Sequence, residues 1–120
     1  MTYGEIKNLL MMMDNPADRL EMVMDIGAQS SKVPDGAICT EILGCSSFVQ
    51  ICRQDNNFFV NADSALVRGV AAIIVSMVDG KTAQEIREMD IAGEFSSLGL
   101  NLGTGRLNGV DSMIRFLKNL

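Results

Sequence analysis

The sequence predicts an α+β fold, a small three-stranded antiparallel sheet packed against helices from both ends of the chain. Three observations carry this. Apolar residues recur at helical spacing before Val33 and again after Asp63. Between them, Val33 to Ala62 gathers β-branched and aromatic residues into short runs separated by Gly, Ser, Asp and Asn clusters. The links between those runs are short enough to make antiparallel hairpins. With 120 residues, 48% hydrophobic and 21% charged, the chain is expected to be one domain spanning residues 1–120 around one core.

The first helical candidate runs from Glu5 to Met13 and breaks at Asp14-Asn15-Pro16. A second starts there, with Asn15 as cap, Pro16 at the first helical position and Asp18 near the positive end of the dipole. Leu20, Val23, Met24 and Gly27 share its apolar face. The strands are expected at Ile38–Leu43, Ser47–Arg53 and Phe58–Ala62, joined by Gly44-Cys45-Ser46 and by the turn Gln54 to Asn57. Asp63 is placed to cap the next helix, Ala65–Val78, which is apolar nearly all round and belongs in the middle of the core. Thr82 and Glu85 have capping-box spacing for a helix reaching Met89, and Ile91–Leu98 reads as a further short helical turn. In the last helix Leu107, Val110, Met113, Ile114 and Leu117 lie opposite Asp111, Arg115 and Lys118.

Composition excludes several function classes. Ten Lys and Arg against fifteen Asp and Glu leave a net charge of −5, which disfavours nucleic acid and anionic membrane as partners and points to proteins. The absence of histidine excludes Ser-His-Asp and Cys-His catalysis and any zinc site that needs an imidazole. The amino terminus lacks a signal-peptide pattern, and the apolar run Val70–Val78 is too short to span a bilayer, so a cytoplasmic location is expected. In such a reducing compartment three cysteines argue against a disulfide framework and for at least one free thiol.

Cys45 sits between Gly44 and Ser46-Ser47 at the expected hairpin tip, where a bare backbone gives a reacting partner room to approach. Position alone leaves it open between a reactive thiol and a structural one. Cys39 and Cys52 fall inside strands and read as packing residues. The spacing Cys-x5-Cys-x6-Cys lacks the short bite of zinc and iron–sulfur motifs. Most of the nine methionines, Met24, Met77 and Met113 among them, read as core filling. Arg106-Leu107-Asn108-Gly109 precedes the last apolar stripe and reads as capping or loop-ordering, with Arg106 also a candidate to stabilise a thiolate or persulfide anion.

The string Gly44-Cys45-Ser46-Ser47-Phe48-Val49 resembles the G-C-x-S-x-V motif of the SufE/CsdE sulfur-acceptor family. Asp63 to Gly69, Thr82 to Ile86 and Gly105 to Gly109 with Met113-Ile114 resemble its further signatures in the same order. Gln50 stands where the family commonly has Trp, and Asn101 where a His often occurs. The resemblance implies a carrier that accepts persulfide sulfur on Cys45 from a pyridoxal-phosphate-dependent cysteine desulfurase of the SufS/CsdA kind. It further implies stimulation of that enzyme and relay of sulfur to a downstream iron–sulfur scaffold. The implied site is Cys45, supported by Gly44, Ser46, Ser47 and Arg106, with no cofactor or metal of its own and no independent turnover. Two other readings are weighed against it: a metal-binding iron–sulfur scaffold using Cys39, Cys45 and Cys52, and a regulatory module of the desulfurase that never handles sulfur.

Overall fold

Strands β1 (Ile38–Glu41), β2 (Val49–Gln54) and β3 (Asn57–Ala62) form one antiparallel sheet in that order. The computed structural model describes residues 1–120. β2 and β3 are joined by a two-residue turn, Asp55-Asn56, in which Asp55 takes a left-handed φ of 55° that a short polar side chain tolerates. Val49 and Ile51 pair with Ala62 and Val60, and these four residues line the core face of the sheet. The free edge of β3 is closed by side chains from a helix laid along it. Asp79 Oδ1 accepts from the Phe58 N–H at 2.9 Å, and Arg68 Nη2 donates to the Ala62 carbonyl at 2.6 Å.

That helix is α3 (Ala65–Val78), and it is the centre of the core as its apolar circumference requires. Its cap is Ser64, which accepts from the Val67 N–H, and not Asp63. The Asp63 N–H instead continues the sheet, donating to the Phe48 carbonyl at 3.2 Å. α2 (Pro16–Ala28), capped by Asn15, crosses α3 backbone to backbone. A Cβ on Gly69 would lie 2.0 Å from the Val23 carbonyl oxygen, and one on Gly27 would lie 2.5 Å from the Gly69 nitrogen. The crossing therefore requires glycine on both sides. α2 turns Val23, Ile26 and Gly27 toward this crossing, which leaves Met24 exposed at the margin rather than in the core.

α1 (Tyr3–Met11) starts two residues earlier than the sequence predicts, because Thr2 and Glu5 form a capping box. It is tied to α5 (Ile91–Ser97) through Glu94, which accepts from the Tyr3 hydroxyl at 2.6 Å and pairs with Lys7 at 2.8 Å. The Lys7 and Tyr3 contacts hold the Glu94 carboxyl below the usual carboxylate range, while burial and the adjacent carboxylate push the Tyr3 phenol upward. α4 (Ala83–Arg87) carries the expected Thr82–Glu85 box. α6 (Thr104–Lys118) packs across α3 and α4, and its Lys118 ammonium donates to the Ile86, Arg87 and Met89 carbonyls at the end of α4. Val110, Met113, Ile114 and Leu117 are buried as the periodicity predicts. Leu107 is 45% exposed, because the first turns of α6 extend past the core before Gly109 and Val110 make contact. Arg106 to Gly109, read as preceding the stripe, are helical. The buried side chains form one hydrophobic cluster of 27 residues, and no helix is long and apolar enough to cross a membrane.

The cysteines depart most from expectation. Cys39 and Cys52, read as packing residues in separate strands, are joined in a disulfide. The register pairs them directly across β1 and β2, with Cα atoms 3.9 Å apart. The Ile42 N–H bonds to the Val49 carbonyl. Counting from that rung, the Cys39–Cys52 pair falls at a position between hydrogen-bonded rungs, where antiparallel strands approach most closely. Cys52 is fully buried as expected, but Cys39 is exposed. Redox compartment and an odd cysteine count argue against a disulfide, and strand register overrides both.

Candidate functional site

Cys45 is the one free cysteine. It lies on the seven-residue link from Ile42 to Phe48 between β1 and β2, at the hairpin tip where the sequence places it. Gly44 precedes it with a φ of 93°, a left-handed turn that a side chain would strain. The turn presses the loop onto α6, so that a Cβ on Gly44 would come 2.6 Å from Ser112 Oγ. Ile42 is buried and anchors the start of the loop, whereas Leu43 is 79% exposed.

The Cys45 side chain is half-buried against the core and points to α6. Its Sγ lies 3.8 Å from the Gly109 carbonyl oxygen, the thiol donating. A Cβ on Gly109 would stand 3.1 Å from the same sulfur. Beside the thiol is a small cavity of ≈ 20 Å³ lined by Cys45, Ser46, Val67, Val70, Arg106 and Met113. That volume holds about one water-sized atom. Burial pushes the Cys45 thiol above the ordinary cysteine value, so it is protonated at neutral pH.

The structure thus brings Cys45, Ser46 and Arg106 to one cavity and sets Gly44 against α6. It does not hydrogen-bond Arg106 to the thiol. The guanidinium Nη1 donates to the Leu102 carbonyl at 3.3 Å, and the thiol's hydrogen bond goes to Gly109. The Ser47 hydroxyl is buried without a hydrogen-bond partner. Gly109, Val67, Val70 and Met113 complete the site and were not singled out from the sequence as site residues. A glycine on the buried side of an amphipathic helix, as Gly109 is in α6, was the available signal, since it marks a close approach by another group.

A three-cysteine metal site is not formed. Cys39 and Cys52 have their sulfurs bonded to each other, and no group of three or more Cys, His, Asp or Glu side chains converges anywhere in the chain.

The fold is shared with the solution structure of a hypothetical protein from Thermus thermophilus, at a TM-score of 0.72 and 15% identity, covering 99% of this chain and 94% of that one. The chain is 27% identical over 121 residues to the sulfur acceptor protein CsdE of Escherichia coli, covering 93% of this chain and 82% of that protein. It is 30% identical over 119 residues to a SufE-like protein of Rhizobium meliloti, covering 89% of this chain and 85% of that protein. The family model described as SufE, the Fe-S metabolism associated domain, matches residues 4–120, so the chain belongs to the SufE family.

Proposed function

We propose that this protein is a sulfur carrier that accepts persulfide sulfur on Cys45 from a pyridoxal-phosphate-dependent cysteine desulfurase. It then passes that sulfur to an iron–sulfur assembly scaffold in the cytoplasm. The observation that carries the reading is the placement of the one free thiol at a hairpin tip, beside a cavity that admits one more atom. The Cys45 thiolate attacks the terminal sulfur of the partner's persulfide. A new S–S bond forms on Cys45, the partner's S–S bond breaks, and its cysteine leaves as a thiolate. The thiol proton released from Cys45 goes to that departing thiolate, so neither an external oxidant nor a cofactor enters.

A half-buried thiol above its ordinary pKa is a poor nucleophile at neutral pH, which protects it from oxidation between deliveries. Activation therefore belongs to docking. A partner that draws the Gly44–Ser47 loop off α6 breaks the contact with Gly109 and exposes the sulfur. Arg106, exposed at the cavity rim with one hydrogen bond to Leu102, is then free to face the partner and the transferring anion. Removal of its persulfide stimulates the desulfurase, while the carrier alone turns over no cysteine.

The test is mass spectrometry after incubation with a cysteine desulfurase and cysteine. Addition of about 32 Da at Cys45, lost in Cys45→Ser, is the expected outcome of persulfide exchange. Stimulation of the desulfurase by Cys45→Ser equal to that by the parent chain overturns the carrier reading in favour of a regulatory module.

A further inference from the structure

We infer that the Cys39–Cys52 disulfide is a second, reducible thiol site that clamps the hairpin carrying Cys45 and sets how accessible that cysteine is. β1 is a four-residue edge strand, and all four residues are exposed. The only element it packs against appreciably is β2. Its register puts Ile38, Thr40 and Ile42 on the core side of the sheet, alongside Val49 and Ile51. Of the three, only Ile42 reaches the core, at 5% exposure, while Ile38 is 78% exposed. The strand is thus held by a few ladder hydrogen bonds, one covalent bond and the buried Ile42 that follows it. Short exposed pairings of this kind open locally far more readily than a packed core helix. The disulfide ties β1 three residues before Ile42, where the Cys45 loop begins. Without it, β1 frays and the loop loses the support on its amino-terminal side that presses Gly44 and Cys45 onto α6.

The two cysteines differ in exposure, which gives the reduction an order. Cys39 is exposed and Cys52 is fully buried. A thiolate of a dithiol reductant attacks the Cys39 sulfur, forming a mixed disulfide and releasing Cys52, which takes up a proton. The reductant's second thiol then attacks its own mixed-disulfide sulfur and releases Cys39 as a thiol. The sum is one protein disulfide and one dithiol giving two protein thiols and one cyclic disulfide, a two-electron exchange that a disulfide oxidant reverses. The clamp is therefore closed under oxidising conditions and open under reducing ones.

The experiment uses the whole chain, oxidised with glutathione disulfide and then reduced with dithiothreitol, with no desulfurase present. Reduction is expected to raise the mass by about 2 Da and to speed amide exchange across residues 38–42 by about tenfold, while α3 is unchanged. Cys45, read by its own fragment ions, should be alkylated several-fold faster. Cys39→Ser, a change at an exposed position, should behave like the reduced chain without any reductant. Any one of four results overturns the inference: failure to form the disulfide, resistance of the disulfide to the dithiol, equal β1 exchange and Cys45 alkylation in both forms, or equal loosening of α3. These readouts involve no sulfur transfer, so the clamp and the carrier reading can each fail alone.

Discussion

Cys45 Sγ sits 3.8 Å from the carbonyl oxygen of Gly109 and 3.1 Å from where a side chain on Gly109 would begin. The hairpin loop and α6 meet at this point, and the missing side chain makes room for the sulfur. Gly109→Ala adds helix propensity of about 1 kcal/mol but must displace the sulfur. We expect stability within about 1 kcal/mol of the parent chain together with faster alkylation of Cys45. A thiol that stays as protected as before shows that the loop does not rest on Gly109.

The α2–α3 crossing responds in the opposite way. A Cβ at Gly69 would be 2.0 Å from the Val23 carbonyl oxygen, and backbone cannot rotate away. Gly69→Ala is expected to cost about 3 kcal/mol or more, the upper end for overpacking, measured by urea unfolding. Gly105→Ala in α6, where a Cβ meets nothing within 4 Å, should instead stabilise by about 0.5–1 kcal/mol.

The raised pKa of Cys45 has a defined pH signature. The folded chain holds the thiol proton more tightly than the unfolded chain, so more protons are bound in the native state between the two values. Stability associated with the neutral thiol is complete below the unfolded pKa and is lost as pH rises through the folded one. The parent chain should therefore lose stability more steeply than Cys45→Ser in the alkaline range. Comparing the two chains cancels the contribution of Tyr3, which is raised in the same direction. Parallel stability curves would mean that Cys45 is not desolvated in the folded chain.

Ser47 contributes a buried hydroxyl with no partner. Ser47→Ala removes that desolvated group, and the expected melting temperature is equal to or slightly above that of the parent. A drop equivalent to about 1 kcal/mol or more would show that the hydroxyl has a partner in solution, such as a bridging water.

Arg106 separates a docking role from a structural one. Its single hydrogen bond goes to the Leu102 carbonyl just before α6, and the side chain is exposed. Arg106→Glu should weaken stimulation of a cysteine desulfurase at low salt while leaving the melting temperature unchanged. Full stimulation by this variant at both low and moderate salt assigns the docking surface elsewhere.

Most of the architecture was legible in the sequence because its signals act within a turn or two of chain. Asn15-Pro16 and the Thr82–Glu85 box announce helix starts through backbone groups two or three residues away. The apolar circumference of Ala65–Val78 announces a central helix through its own periodicity. The hairpin-tip placement of Cys45 was legible for the same reason, since a cysteine beside a glycine between two strand-like runs is a local arrangement. Tertiary structure decided which distant groups meet. The pairing of Cys39 with Cys52 depends on a register centred on the Cys45 loop, and a shift of one residue would abolish it. Whether Arg106 bonds to the thiol, whether Leu107 is covered and how closely Gly109 approaches the sulfur all depend on the angle at which α6 lies against the hairpin. No pattern within a single segment encodes that angle. It follows from packing α6 on α3 and α4 together, with the glycine crossing of α2 and α3 setting how closely the central helix is held.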